Sequence, residues 1–259
     1  RPDTELHATN DKKLMIFQPR STDGLWPVMK GESFGIWVND RGPESYYAWA
    51  DPAKVTKHLQ EKRLRSAKSR RDSAHAEFPL AHLRDPKTLP CYRPRIAFRD
   101  VSRATDTRTV RAALLPPKVL CANQAPYFLW PAGDAKDEAF LLGVLCSVTL
   151  DWYARRYVET HLNFFVLNPF PIPRPSRSDP NRQRVVTLAC RLACASPDQL
   201  KALWNGKSTV KSEKRNVAGL MKSTRDLKRV ASRASSRKTY AAVSRTSARK
   251  AAAVASREV

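Results

Sequence analysis

Apolar and polar positions change period several times along the chain, and each change predicts an element. Leu25-Trp-Pro-Val-Met-Lys-Gly-Glu-Ser-Phe-Gly-Ile-Trp37 reads as two short, aromatic-rich strands around a glycine-bearing turn. Asp51 followed by Pro52 has the chemistry of an N-cap and first helical residue, so a helix is predicted over 53–71. Its residues are mostly polar and basic, which places it at the surface. Over 95–101, Ile96, Phe98 and Asp100 alternate with Arg95, Ala97 and Arg99, the pattern of a half-buried strand. Segments 107–115 and 119–130 complete a three-strand unit, punctuated by Pro116-Pro117 and Ala125-Pro126, with a polar turn at 102–106.

Further along, Phe140, Leu141, Val144, Leu145, Val148, Trp152 and Tyr153 recur at helical spacing and predict one long helix over 134–158, packed on the sheet. Residues 164–167 read as a short apolar strand, closed by Asn168-Pro-Phe-Pro-Ile-Pro173, whose prolines deny further pairing. A last helix is predicted over 180–194. The pattern as a whole is that of a mixed α/β (α+β) fold, a twisted sheet with packed helices. It divides into a connecting segment at 1–14, a domain at 15–175, a C-terminal helix within 176–204 and a tail at 205–259.

That tail changes the picture once charge is considered. The 259 residues carry a formal charge of +23, and positions 205–259 hold 15 Lys and Arg against 3 acids. With few large apolar residues, this low-complexity stretch buries too little surface to offset ordering entropy and is expected to be disordered or transiently helical. The charge favours a nucleic-acid partner over a membrane surface, because neutralised phosphates release counterions whatever the sequence. No apolar run approaches the ~20 residues that span a bilayer, so a soluble, cytoplasmic protein is expected. The opening Arg1-Pro-Asp-Thr-Glu-Leu6 has neither an initiator Met nor a signal-peptide core and reads as the interior of a longer protein.

The five cysteines are odd in number and set among apolar residues, which suits buried thiols in a reducing compartment. Cys190 and Cys194 are spaced to share a helix face, but with His161 they lack a second ligand pair, so no metal site is predicted. The aromatic cluster Trp26, Trp37, Tyr46, Tyr47 and Trp49 fits core packing better than base stacking.

Candidate chemistry concentrates at 93–117, where Arg93, Arg95, Arg99, Arg103, Arg108 and Arg111 alternate with strand formers and with Ser102, Thr105, Thr107 and Thr109. Forked donors and short hydroxyls contact phosphates and base edges in DNA complexes. The competing reading is an edge strand kept soluble by its arginines. The bracketing of one turn favours contact, so Arg95, Arg99, Arg103, Thr105, Thr107, Arg108 and Arg111 are the expected DNA-binding residues, with Arg95 and Arg99 sharing a face. Asp100 is expected to pair with an arginine. Asn123 could read adenine through a bidentate amide contact or serve strand-end hydrogen bonding. For His161 and Asn163, helix capping or a carbonyl bond is expected ahead of DNA contact.

These residues belong to an ordered series: Trp26-Pro-Val-Met-Lys-Gly-Glu-Ser-Phe34, Tyr46-Tyr-Ala-Trp-Ala-Asp51, Arg95-Ile-Ala-Phe-Arg-Asp-Val-Ser-Arg-Ala-Thr-Asp-Thr-Arg-Thr109 and Leu114-Leu-Pro-Pro117. Phe140-Leu-Leu-Gly-Val-Leu-Cys-Ser147, Asp151-Trp-Tyr-Ala-Arg-Arg156, His161-Leu-Asn-Phe-Phe165 and Pro171-Ile-Pro173 continue it. In order and spacing the series resembles the C-terminal target-recognition region of type II restriction-modification and phage-exclusion adenine-N6 DNA methyltransferases, over roughly 15–204. Cys146 departs from the pattern, which usually has Asn before Ser. The basic ending departs further, since the family continues with an acidic, Leu-rich helix. We read this as a frameshift near residue 205, and coding DNA whose other frames lack the family ending would refute it.

The resemblance implies a target-recognition-domain-like fold, double-stranded DNA as partner, and an upstream methyltransferase or nuclease part. That parent enzyme would use S-adenosylmethionine, with Mg²⁺ if a nuclease is fused. This chain is expected to hold no cofactor, because none of its eight glycines forms the Gly-x-Gly of a cofactor loop. The nearest approach to Asn-Pro-Pro-aromatic is Asn168-Pro-Phe-Pro171, which lacks the second proline, so no catalytic residue is expected. The rival expectation is a non-enzymatic, chromatin-like or RNA-binding protein dominated by its basic tail.

Overall fold

The computed structural model describes residues 2–69, 73–130 and 134–193. The chain divides into units Arg1–Gly206 and Lys207–Val259. The second unit lies outside the described residues, as do the expectations for the tail and the proposed frameshift. The first unit is mixed α/β.

Two small sheets carry it. β1 (Pro2–Asp3), β7 (Tyr127–Phe128), β4 (Arg95–Phe98) and β5 (Ala112–Leu115) form an antiparallel sheet in that spatial order. β3 (Ala48–Ala50), β2 (Trp26–Met29) and β6 (Leu120–Cys121) form the other, with β2 antiparallel to β3 and parallel to β6. The β4–β5 register pairs Arg95 with Leu115 and Phe98 with Ala112.

That register explains a correction to the half-buried strand. Ile96, Phe98, Ala112 and Leu114 face a core with Leu142, Leu145, Leu150 and Leu167, while Ala97, Ala113 and Leu115 face a second core with Met29, Cys121 and Tyr127. Because both faces of the pair are covered, all four residues of β4 are buried, Arg95 included. Successive side chains alternate faces, so Arg95 points to the same side as Ala97.

α1 (Pro52–Ser69) starts as predicted, with Asp51 Oδ1 accepting from the Ala53 amide at 2.9 Å. It is not merely a surface helix. Val55 and Leu59 insert into a third core with Leu6, Val28 and Leu120, and Arg63 is buried on the same stripe. The spacing of four keeps these positions on one face, but few apolar anchors hid it. α2 (Leu80–Arg84) packs against α1.

The long helix expected over 134–158 is two helices, α3 (Ala135–Leu145) and α4 (Val148–Ala154). Asp134 caps α3 in a reciprocal capping box with Asp137, and Ser147 starts α4 by accepting from the Leu150 amide at 3.1 Å. An internal serine thus breaks a continuous apolar period. The expected strand at 164–167 is a short helix, α5 (Phe164–Leu167), because Asn163 Oδ1 accepts from the Val166 amide at 3.2 Å. The run 119–130 is split into β6 and β7 by a turn closed from the Ala125 amide to the Ala122 carbonyl at 2.8 Å. The second strand expected before Trp37 is replaced by β3 as the partner of β2.

α6 (Pro180–Ala193) lies against α3 at Gly143, where a Cβ would sit 2.6 Å from the Val185 side chain. Only a hydrogen fits that crossing. Cys91, Cys121, Cys146 and Cys190 are free and buried, and burial pushes the first three thiols up to about 12. Cys194 lies outside the described residues.

Candidate nucleic-acid interface

The segment between β4 and β5 is a closed loop. At its neck the Arg99 amide donates to the Arg111 carbonyl at 2.9 Å. Inside it, Ser102 Oγ donates to the Thr109 carbonyl at 2.5 Å and Thr109 Oγ1 to the Arg103 carbonyl at 3.0 Å. These bonds hide two of the hydroxyls in the sequence pattern; Ser102 and Thr109 are 1% and 0% exposed.

α4 anchors the loop from below. Asp151, 3% exposed, accepts from the Thr109 and Val110 amides through one carboxylate oxygen at 2.7 and 2.8 Å. Its other oxygen meets Arg155 Nε, one turn on, at 3.1 Å. Arg155 then donates Nη1 to the Ala104 carbonyl at 2.5 Å and Nη2 to the carbonyls of Asp106 and Thr107, both at 2.8 Å. A carboxylate gathers amides at the loop's return and a guanidinium gathers carbonyls at its tip. The backbone at 104–110 is therefore set before any ligand arrives.

The arginines divide by what they already hold. Arg108 donates Nη2 to the carbonyls of Cys146 and Ser147 at 2.7 and 3.0 Å, placing its charge at the C-terminal end of α3. Arg111 donates Nε to the Arg108 carbonyl at 2.9 Å and pairs with Asp106 at 3.2 Å. Arg99 donates Nε to the Val101 carbonyl at 2.6 Å and lies 3.8 Å from Glu32. Lys30, followed by smaller contributions including Arg99, holds the Glu32 carboxyl below its ordinary range. Gly31 packs under Arg99, with its Cβ direction 2.6 Å from Arg99 Cγ and 2.8 Å from the Gln124 carbonyl. These three arginines are half-buried and build the loop, while adding positive charge beneath it.

Arg103, Thr105 and Thr107 are exposed. The Arg103 side chain makes no bond among the described residues, so its fork is available to a ligand. Three of the expected residues thus share the outward surface of one braced loop.

One expected contact is corrected. Arg95 is 3% exposed and bound by the Glu5 carboxylate at 2.7 Å, with the Val119 carbonyl at 3.0 Å, so it cannot reach DNA. It does not share a surface with Arg99. Asn123 Oδ1 accepts from the Ala8 amide at 3.1 Å, the hydrogen-bonding alternative to adenine readout. Asp100 pairs with His161 Nδ1 at 3.0 Å rather than with an arginine, and Asn163 caps α5.

The sequence reading missed the bracing roles of Asp151 and Arg155, although their spacing of four was legible. It also missed the face beside them. Trp152 is 59% exposed and carries Arg156 over its ring at 4.7 Å, about 100° around the helix from Asp151. A ring and a guanidinium stacked at the surface can meet a base or a sugar-phosphate edge.

No protein-family model matches the chain, and neither the curated proteins nor the solved structures include a significant match.

Proposed function

We propose that this chain is the DNA-sequence recognition module of an adenine-specific DNA methyltransferase or restriction-modification enzyme, acting in phage defence. It would bind double-stranded DNA so that a catalytic part outside this chain methylates N6 of adenine with S-adenosylmethionine. The observation that carries the DNA-binding part is the braced loop: Asp151 and Arg155 hold its backbone while Arg103, Thr105 and Thr107 project outward from a chain of charge +23. The methyltransferase context rests on the resemblance of the ordered segments. The cytoplasm is the compartment this reading implies.

A preformed loop suits sequence reading, because groups held in place lose little freedom on binding. Trp152 and Arg156 extend the contact surface beyond the loop. Arg99, Arg108 and Arg111 contribute through the positive potential they place behind it.

The test is duplex binding by the full chain, by fluorescence anisotropy on a randomised pool followed by sequencing of the bound fraction. Arg103→Ala should cost about 1 to 3 kcal/mol on selected duplexes and relax preference at one position if the fork reads a base. A phosphate contact would instead weaken all duplexes alike and lower the salt slope by about 1. Unchanged affinity, selectivity and salt dependence would refute the loop as the interface. The rival reading, a non-enzymatic basic nucleic-acid-binding protein, is favoured by the 15 Lys and Arg at 205–259. Deleting that tail should abolish binding under the rival reading and remove only non-selective affinity under ours.

A further inference from the structure

The turn that follows β2 stands beside the neck of the loop and carries a charge cluster of its own. The Ser33 amide donates to the Lys30 carbonyl at 2.9 Å. Ser33 Oγ, on a fully buried residue, accepts from the Lys30 amide at 3.0 Å and donates to the Ser45 carbonyl at 2.7 Å. Gly31 has no room for a Cβ beside Arg99 and the Gln124 carbonyl, so the turn sits directly against the neck. Lys30 and Glu32 therefore project from a fixed backbone next to Arg99.

Glu32 is the acid at the centre of this cluster. Its carboxylate lies 3.0 Å from Lys30 Nζ and 3.8 Å from Arg99 Nη2. Arg41, whose amide donates to the Ser33 carbonyl at 2.9 Å, adds its charge from beside the turn. The charged groups that shift the Glu32 carboxyl most are all cations, and they hold it below its ordinary range. The acids next to these arginines in sequence are engaged elsewhere. Asp40 accepts from the Tyr46 hydroxyl at 2.6 Å and the Gly42 amide at 2.7 Å, and Asp100 meets His161 at 3.0 Å. Three cations thus converge on one carboxylate. Its side chain is 57% exposed, and ion pairs open to solvent add little net stability, so Glu32 can swing away at small cost.

We propose that Glu32 stands in for a DNA phosphate, filling an anion site made by Lys30, Arg99 and Arg41 until a backbone phosphate displaces it. A phosphodiester carries the same single negative charge as a carboxylate and likewise presents two terminal oxygens, so the cations pass from one to the other without being left unpaired. Before DNA arrives, the carboxylate lowers the positive potential at the neck of the loop. The inference rests on the DNA-binding reading of the loop, and it gives the neck a phosphate contact that sets position, separate from the outward residues Arg103, Thr105 and Thr107.

The test is duplex binding by the full chain, followed by fluorescence anisotropy across a range of salt concentrations. Glu32→Gln is compared with Glu61→Gln, which removes the same charge from an exposed site on α1. Glu32→Gln should tighten binding about five- to tenfold at about 0.1 M salt and steepen the salt slope by about 1, because the phosphate no longer displaces a carboxylate that must recruit a cation. Glu61→Gln should change affinity by less than about twofold, since salt screens an exposed charge remote from the contact. A scan of single neutral methylphosphonates along the duplex should find a position at which the Glu32→Gln gain disappears. Equal effects of the two substitutions, or a gain that survives at every methylphosphonate position, would overturn the proposal.

Arg103→Ala separates this proposal from the loop interface. If it weakens binding while Glu32→Gln only matches Glu61→Gln, the loop stands and the Glu32 site falls. If Glu32→Gln tightens binding and Arg103→Ala changes nothing, the loop falls and the Glu32 site stands. A chain that binds no duplex refutes both.

Discussion

Replacing Asp151 by alanine should unfasten the loop between β4 and β5 at one point. The carboxylate is 3% exposed and accepts from the Thr109 and Val110 amides at 2.7 and 2.8 Å. Alanine leaves both amides buried without an acceptor, at about 1 to 3 kcal/mol each. The Arg155 side chain is 31% exposed, so solvent screens its pair with Asp151, which adds about 0 to 1 kcal/mol. The expected loss is about 4 kcal/mol, a large fraction of the 5 to 15 kcal/mol of an ordinary domain. Asp151→Asn keeps an acceptor oxygen and loses its charge, so about 1 to 2 kcal/mol should go. Urea denaturation followed by circular dichroism gives the free energies, and hydrogen exchange reads the Thr109 and Val110 amides individually. Faster exchange should appear there first in the alanine variant. A variant within about 1 kcal/mol of the parent, with both amides still protected, would show that Asp151 does not hold the loop.

Two further perturbations test the interior on which the loop stands. Arg95→Met should cost about 3 to 5 kcal/mol by stranding the buried Glu5 carboxylate, whereas Glu5→Gln with Arg95→Met should recover most of it; a double-mutant cycle with no coupling would refute the pairing. Glu138 has its carboxyl held by burial at about 7, above the ordinary 4.5, so the folded state binds its proton more tightly than the unfolded state. Its stabilising contribution is complete below pH 4.5 and is lost as pH rises through about 7. Glu138→Gln should therefore raise stability by up to about 3 kcal/mol near pH 8 and by almost nothing near pH 4.5, measured by urea titration at both. An equal gain at the two pH values would refute the assignment.

Local signals in the chain foretold several elements for local reasons. Asp51-Pro52 starts α1 because a cap acts within one turn, and residues 95–98 form β4 because alternation is written in consecutive positions. The failures are cases where a short-range polar group interrupts a longer apolar rhythm. Ser147 divides the predicted helix at 134–158, and Asn163 turns Phe164–Leu167 from strand to helix. Both are caps whose one hydrogen bond outweighs the periodic pattern around it. Arg155, by contrast, is an ordinary helical arginine until the fold places three loop carbonyls within its reach.

By itself, the sequence determined the mixed α/β character, the positive charge and the gathering of arginines and threonines at 93–111, because composition and nearest-neighbour spacing do not depend on the fold. Which of those groups are exposed was decided by tertiary structure alone. Arg95 and Arg103 are equally basic as residues. The β4–β5 register turns the first into a twice-covered sheet beside Glu5, while the second lies exposed in the loop between the two strands. Burial is set by what packs against a side chain, and for Arg95 those neighbours, Glu5 and Val119, come from distant parts of the chain.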